Sequence, residues 1–62
     1  MKVHYDIKKK FSDKIFYLFY EASDTAYNSV EFEHRIKYTK EHGWRYRVEN
    51  NIWGNKKLWI RP

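Results

Sequence analysis

Three histidines, His4, His34 and His42, and the compact group Glu31, Glu33 and His34 are the residues whose types come nearest to those of an active centre. Metal binding needs several such donors at one point, and the chain has no cysteine to add to them. His34 and His42 stand about 12 Å apart along a helix, too far to share one ion. Glu31 and Glu33 read more simply as the solvated side of a helix. With glycine only at positions 43 and 54, the chain holds no nucleotide-cradling loop and no nucleophile elbow. Toxin-type ribonucleases work with scattered Lys, Arg, His and Tyr, and His34, Tyr46, Arg47 and Lys57 are of those types, but no spacing singles them out. The expectation is a protein that is not an enzyme, with no cofactor, no metal and no small-molecule substrate.

Cations and aromatics carry more information. Thirteen Lys and Arg against eight acids give a net charge of +5, and 21% of the residues are Phe, Trp or Tyr. The charge is segmented: residues 1–14 carry +3, residues 15–43 carry −2 and residues 44–62 carry +4. A phosphate backbone is drawn to such basic segments. Aromatic rings set among cations are how single strands are held, each stacked base contributing about 1–3 kcal/mol. Lys8, Lys9, Lys10, Arg45, Arg47, Lys57, Trp59 and Arg61 form the expected nucleic-acid surface, for DNA or RNA. The logic is that of the RNA-recognition motif, whose glycine-containing signature is missing from Lys14–Tyr20.

The rival expectation is a small protein-binding module or inhibitor, of the kind a phage would direct at a larger host protein. Phe32 and Ile36 form a second apolar stripe on the central helix, and Ile52-Trp53 form an apolar loop tip. Exposed aromatics are typical anchors of interfaces. A homodimer is another way to cover such surface.

These residues must be positioned by a domain with no disulfides. Val3, Tyr5 and Ile7 alternate with Lys2, His4, Asp6 and Lys8, which predicts a half-buried strand. A second strand, Ile15–Glu21, is apolar on both parities, so something must cover its second side. Within residues 25–42, Val30, Phe32, His34, Ile36 and Tyr38 alternate like a strand with Glu31, Glu33, Arg35 and Lys37, yet pairing them with Trp44–Glu49 puts Lys37 opposite Arg45, Arg35 opposite Arg47 and Glu33 opposite Glu49, three like-charge pairs. A helix fits better: Ser23-Asp24-Thr25 supply capping groups, Gly43 sits just past the end, and Glu31–Arg35 and Glu33–Lys37 are i, i+4 pairs. The remaining chain predicts a hairpin with Tyr46 opposite Ile60, Val48 opposite Leu58, Glu49 opposite Lys57, Arg47 opposite Trp59 and Arg45 opposite Arg61. By parity Trp59 faces away from the helix. Val3, Tyr5, Ile7, Tyr46, Val48, Leu58 and Ile60 are the expected core on the helix side.

The predicted architecture is a single small domain over residues 1–62, an α+β fold in the order ββαββ with one helix on an antiparallel sheet; an all-β small barrel is the alternative. The longest apolar run, Ile15–Tyr20, is far shorter than the ~20 residues of a spanning helix. The first residues lack the pattern of a signal peptide. With no cysteine, these features point to the cytoplasm, or the host cytoplasm for a phage product, and to no membrane partner. The excess of Phe, Tyr, Ile, Asn and Lys over Gly, Ala, Arg and Pro matches the codon bias of an AT-rich genome.

Overall fold

The computed structural model describes residues 2–62. The elements follow in the order β1 (His4–Phe11), β2 (Lys14–Ser23), α1 (Ala26–Glu41), β3 (Arg45–Asn50) and β4 (Asn55–Arg61). This is the predicted ββαββ α+β fold, and the sheet is not closed into a barrel. Among the described residues no helix is long and apolar enough to cross a membrane.

Local chemistry accounts for the helix ends. The Thr25 hydroxyl accepts from the Asn28 amide at 3.1 Å, so one orphan donor of the first turn is satisfied. At the other end the Gly43 amide donates to Lys40 and the Trp44 amide to Thr39, the paired bonds of a Schellman motif. That motif requires a left-handed residue, and Gly43 takes it with φ +70°. Nothing lies within 4 Å of where a Cβ would be placed on Gly43. Gly43→Ala is therefore expected to destabilise by about 1 kcal/mol through backbone strain alone, measurable in urea denaturation.

All neighbouring strands are antiparallel, and the sheet order is β1-β2-β4-β3. The β3–β4 register is the predicted one at every pair, from Arg45 opposite Arg61 to Glu49 opposite Lys57. The β1–β2 turn holds Ser12 and Asp13, both at positive φ, between the paired residues Phe11 and Lys14. Two positive φ values match the right-handed twist of a tight hairpin.

Two irregularities explain where the strand patterns mislead. In β2, Leu18 faces Trp59 and Tyr20 faces Leu58, so Phe19 is an extra residue. Before the bulge the even positions Phe16 and Leu18 point away from the helix. After it, Tyr20 joins Phe19 on the helix side. This parity switch is why β2 reads as apolar on both faces. In β1, His4 faces Leu18 but Lys8 faces Tyr17, leaving Tyr5, Asp6 and Ile7 without regular partners.

The core on the helix side is Phe19, Phe32, Leu58 and Ile60, with Val3, Tyr20, Ile36, Tyr38, Trp44 and Tyr46 packed around it. Of the expected core set, Tyr5, Ile7 and Val48 are instead exposed. The first two lie in the irregular stretch of β1, and Val48 lies on the edge strand β3. The helix turns Phe32, Ile36 and Thr39 inward, positions 32, 36 and 39 making one stripe at helical spacing. Thr39 is fully buried, its hydroxyl donating to the Arg35 carbonyl at 2.8 Å.

The opposite face carries a second cluster of Phe16, Leu18 and Trp59, with Phe11 against it. Phe11 meets Phe16 and Trp59 edge-on, at ring separations of 5.4 and 6.1 Å. Above this cluster Lys9 of β1 forms an ion pair with Glu49 of β3. These strands are the two edges of the sheet, about 14 Å apart if it were flat. Their contact shows that the sheet curls, so that the face away from the helix is concave and strapped across. The second side of β2 is covered by the sheet's own curvature.

Candidate nucleic-acid interface

The residues predicted to hold nucleic acid divide into three groups. Lys9 and Lys57 lie on the concave face but are paired with carboxylates: Lys9 with Glu49, and Lys57 with Glu21 at 3.8 Å. Trp59 faces away from the helix as parity requires, yet it is only 4% exposed. Its expected role as an accessible stacking platform is corrected: Phe11, Phe16 and Leu18 cover the ring, and its indole N–H donates to Glu49 Oε1 at 3.1 Å. Arg45, Arg47 and Arg61 form the second group. Arg45 and Arg61 are cross-strand partners, and among the described residues no carboxylate lies within 4 Å of the three guanidinium groups.

Lys8 and Lys10 make the third group. Lys9 pairs with outward-facing Phe16, so its neighbours Lys8 and Lys10, opposite Tyr17 and Ile15, point to the helix side. The lysine run thus wraps one edge of the sheet instead of forming a single patch.

One arrangement was not visible in the sequence. The curl brings the β1–β2 turn toward the start of β3 and leaves an open cleft of about 370 Å³ between them. Phe11 and Phe16 line it on the apolar side, with Ser12, Lys14, Arg45 and Arg47 around them. Lys14 also has no carboxylate within 4 Å among the described residues. The basic segments at residues 1–14 and 44–62 therefore meet at one end of the molecule. Such a cleft offers donors to phosphate oxygens and an aromatic edge to sugar or base.

Glu49 is the electrostatic pivot next to this end. The Lys9 ammonium holds its carboxyl below the usual carboxylate range; burial works against this, while the Trp59 N–H and the nearby Lys57 charge add to it. The carboxylate neutralises cations that phosphate would otherwise meet.

The expected protein-binding residues also separate. Phe32 is 3% exposed and Ile36 packs against the same core, so neither offers a docking surface: the stripe they form is the one that faces the sheet. The outward stripe is Tyr27, Val30 and His34. Ile52 and Trp53 are 87% and 81% exposed at the tip of the β3–β4 loop. Asn51 Oδ1 accepts from the Trp53 and Asn55 amides at 2.9 and 3.0 Å, so the tip is built to project. The Asp24 amide donates to the Gly54 carbonyl at 2.6 Å, which sets the tip beside the start of α1.

His34, Arg47 and Lys57 do not converge, since the helix and the two cations lie on opposite sides of the sheet. Glu31 is paired with Arg35 at 3.3 Å. Among the described residues no group of three His, Asp or Glu side chains is placed to hold a metal ion. The chain matches no protein-family model, no curated protein and no solved structure.

Proposed function

We propose that this chain is a small, non-enzymatic nucleic-acid-binding module of the cytoplasm that grips phosphate with the cationic cleft at the β1–β2 turn. The observation that carries this reading is the convergence of Lys14, Arg45 and Arg47 on one aromatic-lined cleft without carboxylate partners. Four other cations, Lys9, Arg35, Lys56 and Lys57, are already paired internally. Charges left unpaired in a cluster repel one another, and an anion that relieves the repulsion binds there. Arg45→Ala combined with Arg47→Ala is expected to weaken binding to a DNA or RNA oligonucleotide about tenfold and to lower the salt slope by about 2. Titration at two salt concentrations measures both. Undetectable wild-type binding at low salt, or a double variant with an unchanged slope, sinks the proposal.

A second reading rests on a different surface. Tyr27 is 88% exposed and stands at the same end as Ile52 and Trp53, an apolar group suited to a protein partner, such as the host protein a phage inhibitor would meet. Trp53→Ala is expected to abolish stoichiometric capture of a partner from a bacterial lysate treated with nuclease. Equal capture by variant and wild type removes the loop tip from any interface.

A further inference from the structure

We infer that the helix-side face of the β1–β2 hairpin is a stacking platform for unpaired bases, so that the chain binds single strands in preference to duplex. This rests on the nucleic-acid reading above and adds to it the class of nucleic acid. The helix packs chiefly on β2, β3 and β4, and leaves the β1 side of that face open. On the open part, Lys8 lies opposite Tyr17 and Lys10 opposite Ile15. Tyr5, displaced by the irregularity in β1, meets Tyr17 edge-on at a ring separation of 5.0 Å and is 55% exposed. An edge-to-face pair uses one ring face and leaves the others open.

The result is the combination that the sequence had suggested for Trp59, realised on the other side of the sheet. The exposed Tyr5 ring and the half-buried Tyr17 ring lie beside two ammonium groups that have no carboxylate within 4 Å among the described residues. Within a duplex the faces of the bases are stacked on one another and closed to such rings. Two lysines alone add little to a duplex contact that commonly takes 6–10 phosphate contacts. Unpaired bases gain both the stacking and the charge.

The test is a titration of a short labelled oligothymidylate and of a duplex of equal length, at low salt, against wild type, Tyr5→Ala and Tyr5→Phe. Thermal melting of each variant checks that it folds, and Tyr5 is exposed enough that both are expected to. The expected result is tighter wild-type binding to the single strand, a roughly tenfold loss in Tyr5→Ala on the single strand only, and retention in Tyr5→Phe, which keeps the ring. Wild-type binding to neither ligand overturns the nucleic-acid reading as a whole. Equal binding to both that depends on Arg45 and Arg47 but not on Tyr5 overturns this inference and leaves that reading standing. A loss in Tyr5→Ala that is equal on duplex and single strand also overturns it.

Discussion

Trp59→Ala is expected to destabilise the fold by about 3–5 kcal/mol. A domain of this length has a total stability of roughly 3–9 kcal/mol, so the variant is expected to lose a large share of it, read as a sharply lowered urea midpoint by far-UV circular dichroism. The size of the effect follows from what the indole touches. It fills the concave face between Phe11, Phe16 and Leu18, and its removal leaves those three without the ring they pack on. Trp59→Phe separates packing from hydrogen bonding: it keeps most of the apolar contact, loses the donor to Glu49, and should fall between wild type and alanine in urea midpoint. A loss of less than about 1 kcal/mol for Trp59→Ala would mean an open sheet face instead of a second core.

Glu49→Ala is expected to cost about 1–3 kcal/mol at pH 7, because it orphans the buried indole N–H and frees Lys9 from the opposite edge. Glu49→Gln should cost less, since its carbonyl oxygen still accepts from Trp59. Its signature is the pH dependence. The carboxyl titrates lower in the folded chain than its unfolded value of about 4.3. The charge contribution is therefore complete above about pH 4.3 and is lost as pH falls through the depressed folded value. Wild type should lose stability on acidification in that window, and Glu49→Gln should lose less. Parallel acid limbs in the two urea-midpoint profiles would show that the Lys9–Glu49 pair adds nothing.

These effects sit where the sequence was hardest to read. The β3–β4 hairpin was legible because strand parity, turn residues and the Glu49–Lys57 pairing all selected one register. The helix was legible from its ends, Thr25 and Gly43, more than from its faces, where apolar residues occur on two sides. A bulge at Phe19 has no composition signal, yet it exchanges the two faces of β2 for every later residue. The curl was still further from view: Lys9 and Glu49 are forty residues apart in a chain of 62. Accordingly Arg45, Arg47 and Arg61 could be named from parity, whereas the union of Arg45 and Arg47 with Lys14 and Phe11, and the burial of Trp59, required the curvature.

The place of β4 has a kinetic consequence. The last strand in chain order lies inside the sheet, between β2 and β3, and it supplies Leu58, Trp59 and Ile60, one or more residues to each core. Until it docks, β2 has no strand partner on that side and the helix has only half a floor. Both hairpins, β1–β2 and β3–β4, can form early because their closing contacts are local. Joining β4 to β2 must instead close a loop that spans α1 and β3, which slows folding relative to a chain of local contacts only. The rate-limiting step is expected to be the docking of β4 on β2, with α1 consolidating on the completed sheet.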